Sequence, residues 1–235
     1  MFLQIYCNIL ISLKLFAIMK LELFRDCLEL LFPKSCPSCK NISLKNEPLV
    51  CLKCQGDMPK QKQSSIINHN GKDYNVYSSY KFHRKGKVQK LIHEFKYNNH
   101  KEIGEFFAER MSTQLHQIEN TSYIIPVPIH WKKKKIRGYN QSYVMAKKIA
   151  ELNNMKVLDN VLCRVDESKS QTKKSRYNRF SQIEDAFKVN KGFNLENEHL
   201  ILIDDIVTTG ATISACIQQL ESFKNIKLSI LCIAN

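Results

Sequence analysis

The chain has 235 residues, enough for one good-sized domain with an accessory module. Its 43% hydrophobic and 25% charged residues are the balance of a soluble globular protein, and the odd count of nine cysteines argues against a complete secreted disulfide framework. A formal net charge of +14 favours an anionic partner, such as phosphate groups, nucleotides or nucleic acid, over a cationic one; a lysine-rich composition is the plainer reading of the same number.

The opening "MFLQIYCNILISLKLFAI" is apolar but broken by Lys14. It lacks the basic start and small-residue cleavage site of a signal peptide and falls short of a clean run of about 20 apolar residues. The expectation is a cytoplasmic protein without stable membrane insertion, with Met19 as a second possible start. From there Leu21, Leu23, Phe24, Leu28, Leu31 and Phe32 suit one amphipathic helix, so residues 1–35 read as an extension plus that helix.

Residues 36–60 hold two CxxC pairs, Cys36/Cys39 and Cys51/Cys54, with eleven residues between them. A CxxC turn brings both sulfurs to one side, and two such turns complete a tetrahedral four-thiolate site. The reading is structural Zn²⁺, because so short a segment buries too little core to fold alone. Redox pairs or an iron–sulfur cluster are the alternatives. Cys7, Cys27, Cys163, Cys216 and Cys232 read as small buried hydrophobes in a reducing compartment.

Residues 61–235 form the main domain. "QKQSSIINHNGKDYN" reads as a polar connector with a turn at "NG". "YNVYSSYKF" alternates as a strand, and "KGKVQKLIHEFKYNN" and "KEIGEFFAERMSTQLHQI" carry helical spacing. "SYIIPVPI" is a short buried strand and "WKKKKIR" a solvated charge run. "NQSYVMAKKIAELNN" is a helix, "VLDNVLCRV" a strand, and "HLILIDD" and "KLSILCIAN" are strands flanking the helix "GATISACIQQLESF". Alternating strands and helices imply an α/β fold with a parallel sheet, which binds ligands beyond the carboxyl ends of its strands. The seven histidines show no metal-binding spacing.

"LILIDDIVTTGAT" places Asp204 and Asp205 at such a strand end, followed by Thr208, Thr209, Gly210, Ala211 and Thr212 leading into a helix. Exposed amides at a helix start attract an anion, and glycine allows close approach. The carboxylates accept hydrogen bonds from sugar hydroxyls, or act on magnesium through water. A sugar 5′-phosphate with free hydroxyls meets both demands. There is no Walker lysine. An acidic pair that merely caps a helix is the plain alternative.

The segment resembles the phosphoribosyl-pyrophosphate (PRPP) motif of type I phosphoribosyltransferases. Taken in order, the two CxxC pairs, "LIHEFKYNNH", "IPVPIHWKKKKIRGYNQS", "SQTKKSRYNRFSQIEDAF" and the acidic motif are similar to the ComF family, which includes the GntX-like proteins. The resemblance covers nearly everything from about residue 19 onward. It implies a zinc-ribbon module before a type I phosphoribosyltransferase-like domain, with a tie to natural competence for DNA uptake. It also implies that Asp204 and Asp205 hold the ribose hydroxyls, that residues 208–212 cradle the 5′-phosphate, and that Mg²⁺ arrives with PRPP. Arg137, Asn140 and Gln141 would contact a polyanion or arrange the pyrophosphate-side loop. Arg176 and Arg179, with Gln171, would form a flap over the diphosphate, Arg179 serving catalysis with the two aspartates. Two readings of function stay open: an enzyme transferring a phosphoribosyl group, or a module in which PRPP or a nucleotide tunes binding to single-stranded DNA or competence-machinery proteins. Lys173 and Lys174 depart from the family's small and apolar residues, and Tyr139 replaces its common Phe.

Overall fold

The computed structural model describes residues 20, 33–43, 46–118, 121, 123–165 and 186–235. The chain forms two compact units, residues 1–52 and 53–235. In the first, a turn over residues 37–39 is closed by an antiparallel bridge between Ser35 and Ile42. Helix α1 (Leu52–Gly56) spans the boundary.

The second unit is built on a six-stranded sheet in the order β1-β2-β8-β7-β3-β4. Its strands are β1 (Ser65–His69), β2 (Lys72–Tyr80), β3 (Tyr123–Pro126), β4 (Lys156–Val157), β7 (His199–Ile206) and β8 (Lys227–Ala234). All neighbours pair in parallel except β1, which pairs antiparallel with β2. The α/β parallel-sheet expectation therefore holds. In β7, Leu200, Ile201, Leu202 and Ile203 are all buried, as a strand covered on both faces requires.

On one face lie α2 (Lys87–Tyr97), α3 (Lys101–Ser112) and α5 (Gln141–Asn153). Val88, Leu91, Ile92 and Phe95 of α2 are buried at helical spacing, as are Ile103, Phe106, Phe107 and Met111 of α3. A side chain at Gly104 would overlap the Phe95 ring, so that glycine sets how closely α2 and α3 approach. On the other face, Leu200 and Leu202 share a core cluster with Ile213, Ile217 and Leu220 of α6 (Ala211–Leu220). The same cluster takes in Leu162 and Phe187 from a separate two-stranded ribbon, β5 (Leu162–Arg164) with β6 (Phe187–Val189).

Two expectations need correction. The supposed connector contains β1, which forms a hairpin with β2 through a turn at Asn70 and Gly71, both at positive φ. Alternating half-buried and exposed residues in β1 make it too polar to stand out, but edge strands need bury only one side. "VLDNVLCRV" is not one strand: β4 ends at Val157, the chain turns at 159–160, and β5 belongs to a different sheet. The solvated charge run "WKKKKIR" keeps that character: it forms helix α4 (Trp131–Arg137), none of whose residues is buried. The amphipathic helix expected after Met19 lies outside the described residues.

Candidate functional site

The first cluster is built by short-range chain geometry. Cys36, Cys39, Cys51 and Cys54 offer four sulfurs that all lie within 4.8 Å of one another. Cys39 Sγ and Cys51 Sγ are 3.9 Å apart, close to the edge of a tetrahedron with metal–sulfur bonds of about 2.3 Å. Burial works to raise the Cys36 thiol, yet the backbone amides of Cys39, Cys51 and Ser38 together hold it down at about 7. A thiol poised to ionise suits a metal ligand. These residues fit a structural metal ion of the zinc type. Of the scattered cysteines, Cys216 and Cys232 are buried with their thiols pushed up by desolvation, whereas Cys163 is exposed on β5, against expectation. Cys7 and Cys27 lie outside the described residues.

The second cluster sits at the carboxyl end of β7. Asp204 Oδ1 accepts from the Ser142 hydroxyl (3.1 Å) and from the Asp205 amide (2.9 Å). Asp205 is 9% exposed; its Oδ1 accepts from the Ile206 amide (2.9 Å), and its Oδ2 is ion-paired with Lys96 Nζ from α2. Burial first, then the adjacent Asp205 charge, pushes the Asp204 carboxyl up to about 7, against the pull of the Asp205 amide, Ser142 and Lys96. One of the two carboxylates thus has a neutralising lysine, and the other sits near its protonation midpoint at neutral pH.

Three segments converge on this strand end. Gly138 closes α4 in the left-handed conformation, and Asn140 caps α5: its Oδ1 accepts from the Ser142 amide (3.1 Å) while its Nδ2 donates to Val127 O (3.0 Å). That double contact aims the Ser142 hydroxyl at Asp204. Gln141 is buried and accepts from Arg137 (3.0 Å), whose guanidinium also packs over the Tyr97 ring. Asn140 and Gln141 therefore face protein partners, and Arg137 is the cation of the three. Beyond the carboxylates, Thr208 and Thr209 are exposed, Ala211 and Thr212 are half-buried, and Gly210 at φ 74° turns the chain onto the start of α6. Thr209 Oγ1 accepts from the Ala211 amide at 3.5 Å.

Residue type and spacing single out neither Lys96 nor Ser142, although they lie in "LIHEFKYNNH" and "IPVPIHWKKKKIRGYNQS". A lysine on a helix 108 or more positions before the aspartates announces its ion pair only when the helix docks. Gln171, Lys173, Lys174, Arg176 and Arg179 lie outside the described residues.

No family model matches the chain. It is similar to "Competence protein F" of Haemophilus influenzae, 28% identical over 131 residues, covering 53% of this chain and 57% of the relative. It is 24% identical over 166 residues to "Competence protein ComFC" of Bacillus subtilis, covering 70% of this chain and 62% of the relative. With "DNA utilization protein YhgH" of Escherichia coli K12 it shares 24% identity over 136 residues, 55% of this chain and 59% of that one. The matches thus span about 57–62% of the length of these curated relatives. Among solved structures, an adenine phosphoribosyltransferase from Leishmania tarentolae matches with a TM-score of 0.37 and 13% identity, covering 60% of this chain and 58% of that one. A hypoxanthine phosphoribosyltransferase from Staphylococcus aureus matches with a TM-score of 0.33 and 16% identity, covering 56% and 62%.

Proposed function

We propose that this ComF-family phosphoribosyltransferase-like protein binds PRPP, or a related nucleotide, at the carboxyl end of β7, and that it serves natural competence through that site. The observation that carries the reading is the run from β7 into α6: two carboxylates at a strand end, then an exposed threonine pair and a positive-φ glycine opening onto a helix start. Asp204 and Asp205 would accept hydrogen bonds from the ribose hydroxyls. The amides and hydroxyls of residues 208–212 would hold the 5′-phosphate, favoured by the helix dipole. Arg137 would meet the diphosphate, because a guanidinium fork matches pairs of phosphate oxygens. Asn140 and Gln141 would hold that loop in place rather than touch the ligand. Magnesium would come in with the ligand and neutralise diphosphate charge, with Asp204 and Asp205 the carboxylates available to hold it.

The names of the relatives support a role in competence. Among the described residues no helix is long and apolar enough to cross a membrane, and a cytoplasmic site of action is part of this proposal. Turnover would require an acceptor base and would release pyrophosphate. A second reading is favoured by α4: Trp131 is half-exposed and stacked on His130, beside Lys132, Lys133, Lys134 and Lys135, all exposed. Aromatic and cationic groups side by side suit single-stranded DNA held without sequence choice.

Calorimetric titration of the zinc-loaded protein with PRPP and Mg²⁺, beside the Asp204→Asn/Asp205→Asn variant, is the test. Saturable binding lost in the variant is the expected result. No binding to folded, zinc-replete protein would overturn the PRPP reading. Pyrophosphate release with an added base would identify an enzyme.

A further inference from the structure

The two carboxylates of β7 already have a cation of their own. Lys96 Nζ is ion-paired with Asp205 Oδ2 where both side chains are largely shielded, at 22% and 12% exposure. Asp205 Oδ1 and Asp204 Oδ1 are taken by the Ile206 amide, the Asp205 amide and the Ser142 hydroxyl. Three of the four carboxylate oxygens therefore face donors. A hard divalent cation needs several oxygen ligands free to close around it, and an ammonium at one of them repels it. Lys96 is held where it is by its neighbour: Phe95 is fully buried between α2 and α3, and the Tyr139 hydroxyl donates to Phe95 O.

We propose that Lys96 is the built-in counter-ion of the Asp204–Asp205 pair, a positioning residue that keeps a bare divalent cation off these carboxylates and leaves them to accept hydroxyl groups. The pair then carries one net negative charge fewer than its two aspartates would give. A polyhydroxyl ligand needs acceptors, not a net charge, so the ion pair costs it little, while a metal ion without its ligand finds one oxygen blocked and a like charge beside it. This role for Lys96 concerns the carboxylates alone and stands apart from whether the ligand is PRPP.

The test is Mn²⁺ titration of the zinc-loaded full chain, read by electron paramagnetic resonance with no sugar phosphate present. Wild type, Lys96→Met, Lys96→Arg and Asp205→Asn are compared. Wild type and Lys96→Arg are expected to take up no more Mn²⁺ than Asp205→Asn. Lys96→Met is expected to bind Mn²⁺ tighter by on the order of tenfold or more, and a Lys96→Met/Asp205→Asn double variant to lose that gain. Mn²⁺ uptake by wild type that Asp205→Asn abolishes would overturn the proposal, and this arm needs no lysine variant to fold. A folded Lys96→Met protein with no gain would overturn it too. If PRPP fails to bind while Lys96 still excludes Mn²⁺, the proposed function falls and the role of Lys96 survives.

Discussion

The cysteine cluster and the carboxylate pair are both sites of concentrated charge, but they are held together in opposite ways. The four cysteines fall within 19 residues, and each CxxC turn presets half of the arrangement. In so short a segment a bound metal ion would supply much of the order. The carboxylates draw nothing from their own neighbours in sequence except two amides. Their geometry comes from a strand fully buried on both faces, from Ser142 on α5 and from Lys96 on α2. The first site should therefore fail when a ligand atom or the metal is removed, and the second when the core beneath it moves.

The largest expected effect is on the metal. Cys36→Ser, or chelation, should abolish zinc binding measured by elemental analysis, with the loss of an apparent binding free energy on the order of 10 kcal/mol. The affinity for PRPP should change by less than about threefold if the two sites are independent. A parallel collapse of PRPP binding would break the comparison.

Core support comes next. Leu202 is fully buried two residues before Asp204. Leu202→Ala should lower stability by roughly 2–5 kcal/mol in denaturant unfolding while zinc content stays unchanged.

The carboxylate pair itself makes stability depend on pH. The Asp204 carboxyl is raised from 3.8 to about 7, so the folded state holds a proton that the unfolded state has released. Its contribution is fully present below pH 4 and lost as pH rises through 7. Asp204→Asn removes that dependence, and its stability relative to wild type should improve between pH 4 and pH 8 by roughly 2–4 kcal/mol. Chemical denaturation at both pH values checks this; a flat difference would mean Asp204 titrates as an ordinary surface carboxylate does.

The smallest effect concerns the turn onto α6. Gly210→Ala places a Cβ at positive φ and 3.2 Å from Ile67 Cδ1, and should cost about 1 kcal/mol of stability. Its loss of PRPP affinity should exceed what that destabilisation alone would cause, because the loop it bends is the proposed phosphate cradle.

Much was legible in the chain itself. The CxxC spacing determined which sulfurs pair within each turn, because each turn acts over only three residues of backbone. The apolar run before Asp204 and Asp205 determined a buried strand with acids at its end, and helical periodicity placed α2, α3, α5 and α6. The edge strand β1 and the division of "VLDNVLCRV" between two sheets were decided by pairing partners far away in sequence, which leave no local pattern. So were the partners of the two aspartates. Lys96 and Ser142 belong to helices with ordinary amphipathic spacing, and nothing in that spacing says which strand end they will face. Only the docking of α2 and α5 on the sheet brings a lysine to Asp205 and a hydroxyl to Asp204. Charge pairing across a fold is a property of the packed arrangement, whereas chain-local turns and periodicities are properties of the backbone itself.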